Sequence, residues 1–372
     1  MMTIFPPDRL YRLPRPDRLY QRLSGRQLAV EEGARLQAVL AHYGLRAEGE
    51  ARAPGGEGRS RSLIVATAAG TKIVKRYKAS VEQEAIAHEH SILLRLAALG
   101  FPAPRLCATT DGATLVWHED GAYAVFDYIA GYFQYHNYLF PPGQVRRFIA
   151  AAGEALAALH AALRDFTPAG RNVNGFVARD GGRWRDRGWF EEQLEQCRQE
   201  LLARPAHELS GLRRAVTAHA GWVAARLAAL EEQLGQAGLP RLIIHGDYGP
   251  YNLLFRPGAP VVILDFELAR LDWRLTDLAA ALRYFASGRL GFSAGRARCF
   301  LAAYASRCPL ERAELRLLAP VWQYLTLRRL IVCWRRAAST GARHWADESR
   351  TRLELARWLE EQQGTLPDIM GM

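Results

Sequence analysis

RLIIHGDYGPYNLLFRPGAPVVILD, residues 241–265, is the stretch that decides how this sequence folds. Two short apolar runs, at 253–255 and 261–264, flank the turn RPGAP, in which a glycine lies between two prolines. Apolar runs around a short turn predict an antiparallel β-hairpin. Folding the chain at this turn places Asn252 opposite Asp265, within about one residue of register.

Three polar side chains at the open end of this hairpin form a candidate chemical site. Directly opposed residues of an antiparallel pair have Cβ atoms about 5 Å apart, so the Asn252 amide and the Asp265 carboxylate lie side by side. Such oxygen ligands suit Mg²⁺, which also binds substrate phosphates. Asp247 lies on the turn just before and can accept a proton from a hydroxyl group. As an alternative, each residue only caps a turn, but the whole set, with His245, favours chemistry.

The composition is that of a globular protein, with 49% apolar and 23% charged residues among 372. This length suits one large domain or two moderate ones. The sequence has no run of about 18 apolar residues, and its first residues lack the apolar segment of a secretory signal, so we expect no membrane span. The five cysteines are scattered without CxxC spacing, which predicts reduced thiols in a cytoplasmic protein and argues against a zinc site.

The net charge of +11 and the pI near 9.7 predict attraction for anions, among them nucleotides, phosphorylated metabolites, nucleic acids and anionic lipids. Nearly all of the positive charge is arginine, and a composition rich in alanine and arginine often reflects genomic base composition. This argues against nucleic acid as the partner. The basic, aromatic stretch 169–189 is read as an exposed loop, with a lid or a nucleic-acid surface as alternatives.

The two halves of the sequence differ in their periodicity. In the first half, strands are expected at 63–67, 71–77, 113–118 and 122–129, and helices at 27–43 and 80–99. In the second half, a long amphipathic helix starts at 143, and further helices are expected at about 190–203, 211–236, 311–337 and 346–362. His160 on the first of these is read as a packing residue. We therefore expect an α+β protein, with a small, mainly antiparallel sheet beside one principal helix and a larger, mostly helical part that carries the hairpin.

Five segments match the motifs of one kinase family: HGDYGPYN (245–252), ILDFE (263–267), TDLAAALRYF (276–285), EALAALHAA (154–162) and EHSILLRLAALGFPAP (89–104). In these segments the sequence resembles the aminoglycoside phosphotransferase superfamily, which shares the protein-kinase-like fold with choline kinases, type II homoserine kinases and spore-coat CotS-like proteins. The resemblance implies a bilobal protein-kinase-like fold with an N-terminal arm (1–26), a nucleotide-binding N-lobe (27–129) and a C-lobe with the catalytic loop, metal site and acceptor site (130–372).

The same resemblance implies an ATP-dependent phosphotransferase that moves the γ-phosphate of ATP to a hydroxyl of a small metabolite or antibiotic. Asp247 would orient or deprotonate the acceptor hydroxyl, and Asn252 and Asp265 would hold Mg²⁺. His245 would support the catalytic loop, tied to Asp277 on the following helix.

On the nucleotide side, the resemblance implies that Lys75 contacts the α- and β-phosphates and pairs with Glu89. Lys72 and Lys78 are rival candidates. Lys75 is favoured because it falls in the middle of its strand.

The segment 125–129 would be the hinge, which presents backbone groups to adenine and includes Phe126, Asp127 and Tyr128. The Gly-rich stretch before the first strand has no GxGxxG motif. Ser60 and Ser62 are therefore candidates for the phosphate contacts.

The acceptor is expected to be a small molecule, because the chain has no APE-type activation segment after Asp265. No acidic cluster lies between 286 and 340, which disfavours a cationic acceptor such as an aminoglycoside. The helix at 311–336 loosely resembles late helices of homoserine kinase and CotS-like relatives. Its candidates for acceptor contacts are Trp322, Tyr324 and Arg328, of which the arginine suits a carboxylate or phosphate. The alternative is a core helix with a solvated arginine face.

Two rival functions remain at this point. One is a catalytically silent, nucleotide-binding regulatory or coat-like protein of the same fold, against which the intact Lys75, Asp247, Asn252 and Asp265 argue. The other is nucleic-acid binding through the arginines of 171–187, which predicts a steeply salt-dependent affinity.

Overall fold

The computed structural model describes residues 30–52, 61–79, 81–134, 141–172, 186–205, 207–288, 291–363 and 368. Its N-terminal part contains α1 (Val30–Ala41), β1 (Arg61–Val65), β2 (Lys72–Arg76), α2 (Gln83–Ala98), β3 (Val116–His118) and β4 (Gly121–Asp127). The strands form one antiparallel sheet in the order β1–β2–β4–β3.

The two faces of this sheet bury different surfaces, because side chains alternate along each strand. Val74 and Val125 belong to one face and pack in a small cluster with residues of α1. Ile73 and Phe126 belong to the other face and join the main core of the protein. Lys75 has the same parity as Ile73 in β2, so it points towards that main core and towards Asp265 at the end of the hairpin.

The C-terminal part is mostly helical. Its helices are α3 (Pro142–Ala162), α4 (Arg187–Ala203), α5 (Ser210–Gln236), α6 (Arg274–Phe285), α7 (Ala294–Ala305), α8 (Arg312–Arg316), α9 (Leu318–Thr340) and α10 (Arg343–Glu361). Helix α9 is central, and α4, α5, α6 and α10 pack around it. A helix surrounded in this way is apolar on most of its circumference.

Short strands hold the segment between α5 and α6. Strands β5 (Phe133–Gln134), β7 (Leu253–Phe255) and β8 (Val262–Ile263) form an antiparallel sheet in that order, and β6 (Arg241–Ile244) pairs with β9 (Arg270–Trp273). A further two-residue pair joins β10 (Ser287–Gly288) to β11 (Gly291–Phe292). The β6–β9 ladder closes residues 245–269 into one loop, which contains the hairpin and its polar residues.

The predicted α+β class, with a small antiparallel sheet and a larger helical part, is confirmed. The helix expected at 311–337 is divided into α8 and α9, and Pro320 lies in the first turn of α9, where a missing N–H is tolerated. The arm 1–26, Ser60 and most of the loop 169–189 lie outside the described residues. In the part of the chain that is described, no helix is long and apolar enough to cross a membrane.

Candidate active site

One buried carboxylate, that of Asp277 on α6, holds the start of the predicted catalytic loop, residues 245–252. It accepts the backbone N–H of His245 at 2.7 Å and that of Gly246 at 2.8 Å. Nε2 of His160, on α3, lies 3.1 Å from the same carboxylate. Burial disfavours the charged form of Asp277. The hydrogen bond and charge of His160 and the hydrogen bond from the Gly246 N–H nevertheless lower the pKa of Asp277.

His160 therefore supports the site, although its sequence context predicted a packing residue. It is fully buried, and its Nδ1 also lies 2.8 Å from the hydroxyl of Tyr304 on α7. The available signal was the match of the EALAALHAA segment to a family motif. Helical periodicity alone cannot tell a packed imidazole from one bonded to a carboxylate 117 residues away.

The ring of His245 connects the catalytic loop to the hairpin. Its Nδ1 accepts the backbone N–H of Asp247 at 3.2 Å, and its Nε2 lies 2.7 Å from the carbonyl oxygen of Leu264. Since Nδ1 accepts a hydrogen bond, Nε2 carries the proton and donates it. The predicted contact between His245 and Asp277 is thus made by the His245 backbone N–H. The His245 ring links Asp247 to Leu264, the residue before Asp265.

Asn252 and Asp265 lie at the open end of the hairpin, one residue out of the expected pairing. The strands place Leu264 opposite Asn252, and the Leu264 N–H donates to the Asn252 carbonyl at 2.8 Å. Asp265 follows with φ of 60°, a left-handed conformation that residues with a side chain rarely adopt. The side-chain amide of Asn252 donates to the Asp247 carbonyl at 2.9 Å and to Asp247 Oδ2 at 3.3 Å.

Lys75 reaches this group from the N-terminal sheet. Its Nζ lies 2.9 Å from Glu89, 4.0 Å from Asp265 and 3.9 Å from Glu267. Burial disfavours the ammonium form, but the charges of Glu89, Asp265 and Glu267 outweigh it and raise the pKa of Lys75. The lysine is therefore a fixed cation beside the proposed metal ligand. The match of the ILDFE segment to a family motif did not indicate this contact of Glu267.

The rival Lys72 instead forms an ion pair at 2.6 Å with Asp127, which lies directly opposite it in β4. In the predicted hinge, Phe126 is buried and the Tyr128 side chain is exposed. The N–H groups of Asp127 and Tyr128 already donate to backbone carbonyls, at 3.0 and 3.2 Å. A contact of either N–H with adenine would therefore require a change of partner. Ser62 lies directly opposite Lys75 in the neighbouring strand.

The structure corrects the acceptor prediction for Trp322, Tyr324 and Arg328. Each is at most 3% exposed, because α9 is enclosed by other helices. The Trp322 ring packs against Phe292, and the Arg328 guanidinium lies 4.7 Å from the centre of the Phe190 ring. Trp322 and Tyr324 thus belong to the core, as the alternative interpretation expected, but Arg328 is buried with them rather than solvated.

Other side chains adjoin Asp247. The Tyr251 hydroxyl lies 2.7 Å from Asp247 Oδ1 and 3.1 Å from the Tyr284 hydroxyl. Arg283 donates to the Tyr284 hydroxyl at 3.3 Å and covers the ring of that tyrosine. Burial, followed by the neighbouring Tyr284 and Asp247, raises the pKa of Tyr251, so its hydroxyl remains a donor.

Two further arginines make this region positive. Arg329 binds Glu348 through two nitrogens, at 3.1 and 3.3 Å, and Arg352 binds it at 3.1 Å. Burial opposes the charge of Glu348, but the two arginines lower the pKa of this carboxyl to about 2. Burial and then the charge of Arg283 lower the pKa of Arg352 to about 10. Arg329 and Arg352 thus share one carboxylate, and the charge of Arg283 acts on Arg352.

Asn252 and Asp265 fit Mg²⁺ by their donor chemistry. The amide nitrogen of Asn252 is directed to Asp247, so its oxygen is the atom presented to a cation, and the Asp265 side chain is 45% exposed. Among the described residues, no three His, Cys, Asp or Glu side chains lie together as a metal site.

Comparisons with known proteins agree with this fold. The profile of the APH phosphotransferase enzyme family matches residues 50–317. The homoserine kinase of Rhodospirillum rubrum is 29% identical over 68% of this chain and 70% of its own length. That of Afipia carboxidovorans is 30% identical over 69% and 71%.

Two solved structures share the fold. A microcompartment-associated aminopropanol kinase superposes with a TM-score of 0.60 at 18% identity, over 90% of this chain and 98% of that one. The ethanolamine kinase of Plasmodium vivax gives 0.59 at 13% identity, over 95% and 96%. At such identities the likeness concerns the fold alone.

Proposed function

This chain belongs to the phosphotransferase enzyme family, and from that premise we propose that it is an ATP-dependent kinase for a small hydroxylated amino acid. Transfer to a hydroxyl group of a small molecule is common to its kinase relatives. One observation carries the proposal: Asp247, Asn252 and Asp265 are tied to one another on one side, and Lys75 reaches Asp265 from the N-terminal sheet.

The nucleotide side consists of groups that neutralise phosphate charge. Lys75, held by Glu89, binds the α- and β-phosphates of ATP. Asn252 and Asp265 would hold Mg²⁺ through their side-chain oxygens. When bound, the ion offsets the charge of the phosphates and orients them. Glu267, 3.9 Å from Lys75, helps to fix this lysine between the two parts of the chain.

In the transfer step, the acceptor oxygen forms a bond to the γ-phosphorus, and the bond from that phosphorus to the β-γ bridging oxygen breaks. The hydroxyl proton passes to the Asp247 carboxylate, and ADP leaves. The His245 ring and the Asn252 amide hold Asp247 in place, which matters because this chemistry depends on positioning.

The acceptor is proposed from two observations together. Relatives that match 68–69% of this chain are homoserine kinases, which act on a hydroxylated amino acid by name. In this chain, Arg283 is linked to Asp247 through Tyr284 and Tyr251 by three consecutive hydrogen bonds. An acceptor with its hydroxyl on Asp247 and a carboxylate towards Arg283 matches this charge pattern. Since the lysine and both proposed metal ligands are present, the catalytically silent alternative is not favoured.

A panel of acceptors tests the proposal through ADP formation with Mg²⁺ and ATP. L-homoserine and 3-amino-1-propanol form the informative pair, because they differ only in the carboxylate. We expect L-homoserine to have the higher kcat/KM, on the order of tenfold or more, the usual effect of a charge-assisted hydrogen bond. A higher kcat/KM for 3-amino-1-propanol, choline or an aminoglycoside would overturn the proposed acceptor class.

A further inference from the structure

Both carboxylate oxygens of Asp247 are engaged by donors of the chain itself. Tyr251 binds Oδ1 at 2.7 Å, and Asn252 binds Oδ2 at 3.3 Å. Asn252 also binds the Asp247 carbonyl and is buried, so it is fixed. Tyr251 is 41% exposed. Of the two donors, Tyr251 is therefore the one whose side chain can move away from Asp247 without disturbing the core.

The direction of these hydrogen bonds follows from the chemistry of the groups. An ionised carboxylate only accepts, so the single hydroxyl proton of Tyr251 goes to Asp247. The Tyr284 hydroxyl must then donate to the Tyr251 oxygen, and the Arg283 guanidinium, which only donates, binds the Tyr284 oxygen. The chain of donors thus ends on Asp247, with a phenolic hydroxyl in contact with the base.

The neighbourhood is shaped to hold this hydroxyl. The rings of Tyr251 and Tyr284 meet edge to face, with centroids 5.2 Å apart. A Cβ on Gly249 would lie 2.7 Å from the Tyr251 ring and 3.0 Å from the Tyr284 ring, so a side chain there would displace one of them. The carbonyl oxygen of Tyr251 also accepts a hydrogen bond from Gln134 at 2.8 Å.

We propose that the Tyr251 hydroxyl holds the place of the acceptor hydroxyl on Asp247, and that a true acceptor displaces it. Tyr251 then covers the base, Asp247, and prevents water from acting as the phosphate acceptor. We call the Tyr251 hydroxyl in this position the cap. This inference rests on the proposed role of Asp247. The Tyr284 hydroxyl stays bonded to the Tyr251 oxygen, and because Tyr251 is exposed, its displaced hydroxyl proton can be donated to solvent.

The cap has a defined chemical purpose. In the wasteful reaction, a water oxygen bonds to the γ-phosphorus, one water proton passes to Asp247, the bond to the bridging oxygen breaks, and ADP and phosphate leave. A water molecule makes no contacts other than its hydrogen bonds, so it gains little free energy with which to displace a tyrosine. An acceptor with several contacts can do so, because the free energy of its other contacts offsets the lost hydrogen bond.

The cap also lowers the apparent affinity for the acceptor. If only a fraction of molecules has Asp247 uncovered, the apparent dissociation constant of the acceptor rises by the reciprocal of that fraction. A hydrogen bond to a charged group is strong enough to reduce that fraction by about tenfold or more. Removing the hydroxyl of Tyr251 should therefore tighten acceptor binding and release hydrolysis together.

The test compares Tyr251→Phe with the wild-type chain. Without acceptor, we expect Tyr251→Phe to hydrolyse Mg²⁺-ATP faster, on the order of tenfold. We expect the KM of Tyr251→Phe for L-homoserine to be lower than that of the wild type by a similar factor, while kcat changes much less. Hydrolysis within twofold of wild type overturns the proposal. So does a rise in KM, which would mean that Tyr251 binds the acceptor rather than competes with it.

Tyr248→Phe is the matched control, because Tyr248 lies in the same loop but its hydroxyl donates to the Ala152 carbonyl at 2.6 Å. It should lower stability and leave the ratio of hydrolysis to transfer unchanged. In the double variant Asp247→Ala/Tyr251→Phe the gain in hydrolysis should vanish, and its persistence would contradict the cap. If L-homoserine is not phosphorylated by any variant, the proposed acceptor fails, while acceptor-free hydrolysis still decides on Tyr251.

Discussion

At the scale of single residues, the proposed role of Asp247 depends on how its neighbours hold it. Its N–H is bonded to the His245 ring and its carbonyl to Asn252. We expect Asp247→Ala to lower the rate of phosphate transfer by about 10² to 10⁴, the range for a general base. Binding of Mg²⁺-ATP should change little, because Lys75 and Asp265 stay in place.

The measurements are kcat for ADP formation with the best acceptor and the dissociation constant of the nucleotide by calorimetry. Asp165→Ala, at an exposed position of the helical part, serves as the control and should behave as wild type. Near wild-type turnover in Asp247→Ala would show that another group takes the proton.

A second residue, His90, makes stability depend on pH. Its ring is buried on α2 between the Tyr77 hydroxyl, at 3.0 Å, and the Thr114 hydroxyl, at 2.8 Å. Burial and then the charge of Lys75 lower the pKa of His90 from 6.5 to about 4. The unfolded chain therefore binds a proton that the folded chain excludes. The contribution of this ring to stability is complete above pH 6.5 and is lost as the pH falls towards 4.

At pH 5 this loss amounts to roughly 2 kcal/mol of unfolding free energy. Urea unfolding of wild type and His90→Gln at pH 7.5 and pH 5 measures it, and the variant should have the flatter pH dependence. His42→Gln, at an exposed position, controls for the removal of an imidazole. Equal slopes in the wild type and His90→Gln would contradict the prediction.

At the scale of elements, α3 and α7 approach closely because Gly153 has no side chain. A Cβ at Gly153 would collide with the carbonyl oxygen of Phe300, whereas one at Gly143, on the same helix, would meet nothing. We expect Gly153→Ala to cost about 1–3 kcal/mol by overpacking. Gly143→Ala should be neutral or stabilising by up to about 1 kcal/mol. Thermal unfolding of both variants checks this, and equal effects would contradict the packing argument.

The elements themselves were largely predictable, since apolar periodicity identified the strands of the N-terminal sheet, most helices and the 253–264 hairpin. What failed depends on neighbours that are distant in sequence. The pairing of Asn252 with Asp265 was predicted to within the stated one residue, whereas no local pattern marks the left-handed backbone of Asp265. Trp322 and Arg328 fit a solvent-facing site as well as a core. Only the helices around α9 decide between the two.

At the scale of the whole molecule, Lys75 and Asp265 come from opposite parts of the chain and meet at 4.0 Å. A nucleotide bound to both should stabilise the entire fold, by about 2.7 kcal/mol at a concentration 100 times its dissociation constant. We expect Mg²⁺ with a non-hydrolysable ATP analogue to raise Tm of the wild type. The shift should be much smaller in Lys75→Met.

Lys78→Met is the control for this experiment, because Lys78 is exposed just beyond the same strand. It should keep the full shift in Tm. An undiminished shift in Lys75→Met would show that the nucleotide binds without this lysine. The pairing of Lys75 with Glu89 was predictable from motifs, whereas the approach of Glu267 depends on how the two parts pack.

The buried carboxylate of Asp277 has one more consequence, which concerns amide hydrogen exchange. The N–H groups of His245 and Gly246 belong to a loop, where exchange with solvent is normally fast. Here both are bonded to a carboxylate that is itself enclosed by α3 and α6. Their protons can exchange only when these helices separate. These two loop amides should therefore exchange as slowly as those of the central helix.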